Sequence, residues 1–199
     1  MRTMNYILIA ALLWVSTAEA QTTNWRDSLE VLNRQIEREP KSTDLRLRKA
    51  ALNIELNQWD YAIEEYGRVL DIEPRNLAAL FYRAYANNHE RRYQLALNDY
   101  EAFLALMPKH FEAQLGLAVV NRNLKRTTEA MDNLNTLVEL FPDSATAYAA
   151  RAGMEAELKQ YDLALFDWDQ ALRLQPDNAD FKASKAEVET KKKSKKVQR

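Results

Sequence analysis

The five prolines of this chain stand at positions 40, 74, 108, 142 and 176, so every interval between them is 34 residues. A fixed period of this size marks a stacked repeat: each unit is too small to bury its own apolar face, and a continuous core forms only between neighbours. Other residues keep the same phase. Twelve positions before each proline stand Ser28, Ala62, Ala96, Ala130 and Ala164; eight before stand Leu32, Tyr66, Tyr100, Leu134 and Trp168; ten after stand Ala50, Ala84, Ala118, Ala152 and Ala186.

Each 34-residue unit reads as two helices. Two residues past the proline, Ser42, Asn76, Ser144 and Asn178 offer N-cap oxygens, with His110 the weakest member. The first helix then runs about four turns to Leu56, Glu90, Leu124 or Leu158, before a short polar break such as Asn57-Gln58. The second helix spaces its apolar residues at i, i+3, i+4 and i+7, as in Ala62, Ile63, Tyr66, Val69 and Leu70. Proline ends it, lacking an amide donor and disfavouring α geometry in the residue before it. Three glycines in 199 residues agree with an all-helical chain. Around the polar break, Ala50 is predicted to face Ala62, Ala84 Ala96, Ala118 Ala130, and Ala152 Ala164, which lets the paired helices approach closely.

These columns resemble the tetratricopeptide repeat family. The second half of its motif, A-x3-F…P with large apolar residues tolerated, occurs as Ala62/Tyr66/Pro74, Ala96/Tyr100/Pro108, Ala130/Leu134/Pro142 and Ala164/Trp168/Pro176. The first half, W-x2-L-G-x2-Y, departs from the pattern. Alanine fills its glycine column, Lys49, Arg83, Leu117 and Arg151 its leucine column, and Asn53, Asn87, Asn121 and Glu155 its tyrosine column. The resemblance implies an all-α, right-handed α-solenoid of helix-turn-helix repeats at 43–76, 77–110, 111–144 and 145–178. A half repeat (21–42, one helix) precedes them, and a capping helix over 179–192 with a polar outer face follows.

In three repeats a basic residue of the first helix meets an acidic one at the facing position of the second: Lys49 with Glu65, Arg83 with Asp99, Arg151 with Asp167. The third repeat has Leu117 and Asn133 there, losing both charges together. Ion pairs within each repeat are therefore expected.

The resemblance also implies a binding face lined by the first helices, holding a protein or peptide. Leu47, Phe81, Leu115 and Ala149 form one row by family position, and Ala51, Tyr85, Val119 and Gly153 a second, with Asn88, Arg122 and Asn123 at the mouth. Such an apolar floor with polar margins suits an extended peptide or an amphipathic helix. The Lys/Asn set by which some family members clamp a C-terminal carboxylate is missing, since Leu47 and Ala51 occupy its first two places.

Chemistry is not advertised. There is no cysteine, His89 and His110 stand 21 residues apart outside any ligand spacing, and Gly67, Gly116 and Gly153 are isolated within helices. No catalytic residue, metal, cofactor or small-molecule substrate is expected. The net charge of −1 conceals an uneven distribution: residues 180–199 carry +5 and the remainder −6. The basic tail over 193–199, with Lys191 and Lys192 before it and Lys193, Lys195, Lys196 and Arg199 within it, is expected to be disordered. It is the alternative contact, toward anionic lipid, cell-wall polymer or an acidic partner. An acidic body argues against nucleic acid.

The first twenty residues have the form of a secretory signal: Arg2, the apolar run Tyr6–Val15, then Ala18-Glu19-Ala20 as a cleavage site. Export to the periplasm or beyond is the expectation, with Gln21 as the new N-terminus. The incomplete first repeat also leaves pairing between two chains open.

Overall fold

The computed structural model describes residues 25–197, and every regular element among them is a helix. Following α1 (residues 25–38) come α2 (Thr43–Glu55), α3 (Trp59–Ile72), α4 (Leu77–His89), α5 (Tyr93–Leu106), α6 (Phe111–Asn123), α7 (Thr127–Leu140), α8 (Ala145–Glu157), α9 (Tyr161–Leu174) and α10 (Ala179–Val197). The signal segment lies outside the described residues, as does Arg199. The chain divides into two compact units, one ending at Glu90 and the other starting at Arg91. That boundary falls inside the second 34-residue repeat.

Backbone chemistry sets the helix ends. Ser42, Asn76, Ser144 and Asn178 accept the backbone N–H three residues on, and His110 does so through Nδ1 at 3.3 Å, so the weakest predicted cap still caps. Each first helix closes with a residue in the left-handed region: Asn57, Arg91, Lys125 and Lys159, at φ 56° to 63°. Around Asn57, Lys125 and Lys159 two bonds cross the helix end, as from Asn57 N–H to the Ile54 carbonyl and from Gln58 N–H to the Asn53 carbonyl. This Schellman arrangement satisfies carbonyls that the helix leaves open. Glu73, Met107, Phe141 and Gln175, each just before a proline, leave α geometry at φ −127° to −133°, ending the second helices.

In the first unit α2 packs on α3 and α3 on α4; in the second, each helix from α5 to α10 packs on the next. The result is an all-α solenoid of helix-turn-helix repeats. Ala118 and Ala130 share one core with Leu134, Leu137, Val138, Ala147 and Met154. Ala152 and Ala164 share another with Ala145, Trp168, Ala171 and Val188. Ala50 and Ala62 are fully buried in the first unit. Phe181 of α10 lies against Trp168 at 5.7 Å between ring centroids, which is how α10 covers α9.

Two glycines that look alike in sequence differ in space. A Cβ built on Gly116 would stand 2.5 Å from the ring of Tyr100, a buried side chain, whereas one on Gly153 would meet nothing within 4 Å. Gly116→Ala is therefore expected to lose about 1–3 kcal/mol through overpacking, against a helix-propensity gain of about 1 kcal/mol. Gly153→Ala is expected to gain about 0.5–1 kcal/mol. Thermal unfolding of the two variants followed by circular dichroism gives the comparison.

The helix α10 runs to Val197 and overrides the expected disorder from residue 193. Two ion pairs support it, one local and one not: Lys191 pairs with Glu187 one turn back, at 2.6 Å, and Lys192 with Asp162 of α9. Each of the two lysines thus has a carboxylate neighbour, one in helical register and one on the preceding helix, and repulsion along the run is relieved.

Candidate functional site

In the second unit the predicted binding residues come together. Leu115, Val119 and Arg122 of α6 line a recess of about 80 Å³ with Ala118, Leu134 of α7, and Ala150 and Met154 of α8. The floor is apolar. Arg122 supplies the charged margin and donates to Glu157 at 3.3 Å, both side chains being about half exposed. Leu115 also packs against the core around Ala118, and Ala149 joins the core around Trp168, so part of the first predicted row serves packing. Asn123 is half-buried at the end of α6.

The first unit presents a different surface. Leu47 and Phe81 are half-buried and Ala51 is exposed. Tyr85, 46% exposed, borders Trp59 at 5.9 Å, and His89 stacks on Trp59 at 3.8 Å with the rings 19° apart. Asn88 beside them holds a buried Oδ1 without a hydrogen-bond partner. Trp59 and His89 were not among the predicted residues. The 34-residue frame could have placed Trp59, since it stands at the start of a second helix, facing α4.

Each unit buries polar side chains beneath its own surface. Arg46, Asn53, Glu65, Asn87, Asp99, Gln114, Asn121, Glu155 and Asp167 are all buried. Lys49 bonds Glu65 at 2.8 Å, and Arg151 embraces Asp167 with Nε at 2.6 Å and Nη2 at 2.9 Å, as expected from the facing positions. Arg46, absent from that expectation, adds a second cation to Glu65 at 2.8 Å and holds the Pro40 carbonyl. The third repeat replaces the ion pair by an amide pair, Asn121 Nδ2 donating to Asn133 Oδ1 at 2.8 Å.

The two acids behave differently. Burial pushes the Glu65 carboxyl up, but hydrogen bonds and charge from Lys49 and Arg46 outweigh it and leave it below the usual carboxylate range. Glu155 is pushed up to about 7 by burial and by the neighbouring Asp167 charge, with Arg151 only partly opposing.

Of the basic tail, Lys191 and Lys192 are engaged as above, and Lys193 is exposed. The side chains of Lys195 and Lys196 lie outside the described residues. Among the described residues no group of three or more His, Cys, Asp or Glu side chains is placed to hold a metal. None of the described helices is long and apolar enough to cross a membrane.

A family model described as tetratricopeptide repeat matches residues 47–102 and 132–180, more than half of the chain, and a second of the same description matches residues 89–153. No curated protein matches the sequence. Among solved structures, MamA (residues 41 to the end) from Desulfovibrio magneticus RS-1 superposes with a TM-score of 0.73 at 16% identity, covering 83% of this chain and 93% of that one. A tetratricopeptide repeat protein from Parabacteroides merdae gives 0.76 at 19% identity, covering 90% and 71%. YrrB, described as a TPR protein with an unusual peptide-binding site, gives 0.66 at 19%, covering 83% and 85%. At these identities the likeness concerns the fold.

Proposed function

Since the chain belongs to the tetratricopeptide repeat family, whose solenoids generally serve as protein-interaction scaffolds, we propose that it is a non-enzymatic adaptor that binds a peptide or protein segment on the faces of its first helices. The observation that carries this reading is the recess between α6 and α8. Leu115, Val119 and Met154 offer an apolar floor, and Arg122 a charge at the rim. Aliphatic or aromatic side chains fill such a floor, and a rim charge selects an acidic or carbonyl-bearing neighbour. The Tyr85, Trp59 and His89 group of the first unit offers a second, aromatic contact. The peptide-binding description of YrrB supports the same class of ligand.

Arg2, the apolar run to Val15 and Ala18-Glu19-Ala20 support export, with the mature chain starting at Gln21 in the periplasm or outside the cell. Intact mass of the protein recovered from its own cells tests this: a chain still beginning at Met1 would overturn it. The tail is the weaker contact, because Lys191 and Lys192 already meet Glu187 and Asp162.

Capture from an envelope extract tests the adaptor reading. Val119→Glu and Tyr85→Glu are each expected to lower recovery of the bound protein about tenfold, since a charge forced into an apolar contact is costly. A chain truncated after Thr190 is expected to keep it. Capture that survives both substitutions and disappears with the truncation would transfer the function to the tail. Helical content by circular dichroism shows that the variants remain folded.

A further inference from the structure

Each repeat has one outward position on its second helix, held in turn by Glu64, Asn98, Asp132 and Phe166. Three of these are polar, as a solvent-facing column requires. The fourth is an aromatic ring left 60% exposed, and Leu163, three residues before it on the same face of α9, is 55% exposed. Leu163 corresponds to Tyr61, Leu95 and Glu129, so the fourth repeat alone puts large apolar groups at both positions. Packing does not call for them, since α9 already gives Ala164, Trp168 and Ala171 to the core.

Phe166 stands one turn after Asp162 and one turn before Asp169. Lysines of α10 meet both acids, Lys192 at Asp162 and Lys185 at Asp169, the latter at 2.6 Å. These contacts run α10 antiparallel to α9 and bring its C-terminal end beside Leu163. The charge there is one-sided. From Thr190 to Arg199 the sequence holds six cations and no acid. Glu187 and Asp162 match Lys191 and Lys192, which leaves four positive charges in excess. Lys159, exposed in the turn before α9, adds one. Glu189 takes one away, because it shares Lys185 with Asp169. Glu157, two residues before Lys159, is held by Arg122.

We infer that this edge of α9 and α10 docks on an anionic lipid bilayer, with Leu163 and Phe166 entering the headgroup boundary and the lysines meeting lipid phosphates. Exposed aromatic and aliphatic side chains beside lysines are the combination that seats a helix in the lipid–water boundary. Each half is a weak contact by itself: surface lysines lose their attraction as salt rises, and two side chains bury little apolar area. Together they reinforce each other, because the inserted pair holds the lysines within a Debye length of the headgroups. A soluble acidic polymer would be matched by the charge alone and would leave both apolar side chains in water. The inference goes beyond the adaptor reading and leaves it intact. The recess between α6 and α8 lies on other helices, so one chain can hold a partner and a bilayer together.

The test is co-sedimentation of the protein, as its own cells produce it, with vesicles of phosphatidylglycerol and phosphatidylcholine in equal parts, beside vesicles of phosphatidylcholine alone. Binding is expected to the first only, and is expected to fall between low and physiological ionic strength. Two variants separate the halves of the surface. Leu163→Gln with Phe166→Asn removes the apolar pair without changing charge, and is expected to weaken vesicle binding about tenfold. Lys193→Gln, Lys195→Gln and Lys196→Gln together spare the pairs made by Lys191 and Lys192, and are expected to weaken it about a hundredfold. Circular dichroism shows that both variants remain folded. Equal binding to the two kinds of vesicle, binding to neither, or unchanged binding in the first variant would overturn the inference. The last result, joined to a loss in the second variant, would assign the lysines to an acidic polymer or protein instead.

Discussion

Replacing Glu65 with alanine is expected to destabilise the first hairpin by about 3–5 kcal/mol, the cost of stranding buried cations. Glu65 is 4% exposed and accepts from both Arg46 and Lys49, and Arg46 is itself 8% exposed. Their charges would remain after truncation without an acid inside the hairpin to receive them. Arg46 would keep only the Pro40 carbonyl. The corresponding truncation in the fourth repeat, Asp167→Ala, removes an equally buried acid, yet its expected cost is smaller, about 1–3 kcal/mol. There Glu155 stands beside Arg151 and can take the vacated role, its own carboxyl ionising as the Asp167 charge disappears. Because repeats unfold in parts rather than all at once, hydrogen exchange of amides in α2 and α3, and separately in α8 and α9, is the suitable measurement. Equal losses at the two sites would show that Glu155 does not substitute.

The contrast also marks what a one-dimensional reading could and could not supply. The repeat length, helix ends, caps, alanine column and the Lys49–Glu65 and Arg151–Asp167 pairs follow from residue type at a fixed phase, because capping and hairpin facing are local or symmetric about a turn. Arg46 did not follow, since its reach to Glu65 depends on a long side chain turning into a layer that this family usually fills with apolar groups. The buried amides of Asn53 and Asn121 were visible only as departures from a tyrosine column; their burial comes from the neighbouring helix. The Leu115 row shows the same limit. Phase put Leu115, Val119 and Arg122 on one face, but only packing reveals that Leu115 contributes to both a recess and a core. The helical course of α10 depends on Asp162, thirty residues from Lys192 in sequence.

Glu155→Gln should make the protein more stable at neutral and alkaline pH while leaving it unchanged in acid. In the native chain the Glu155 carboxyl keeps its proton up to about pH 7, against an ordinary value of 4.5. Between those two values the folded state binds more protons than the unfolded one, so stability falls as pH rises, by about 1.4 kcal/mol per unit and roughly 3 kcal/mol across the window. Above pH 7 both states are ionised and the loss is complete; below 4.5 both are protonated and there is none. Glutamine carries no such proton, and the equivalent positions of the other three repeats, Asn53, Asn87 and Asn121, already hold a buried amide. The difference in unfolding free energy between the variant and the parent should therefore be near zero at pH 4 and about 3 kcal/mol at pH 8. Hydrogen exchange of amides in α8 and α9 at both values measures it for the hairpin that holds Glu155, and taking the difference between variant and parent cancels the opposite, low-pH contribution of Glu65. A difference that does not change between the two pH values would mean that Glu155 ionises as freely in the folded chain as in the unfolded one. Arg151 would then offset both the burial of that carboxyl and the charge of Asp167, rather than opposing them only in part.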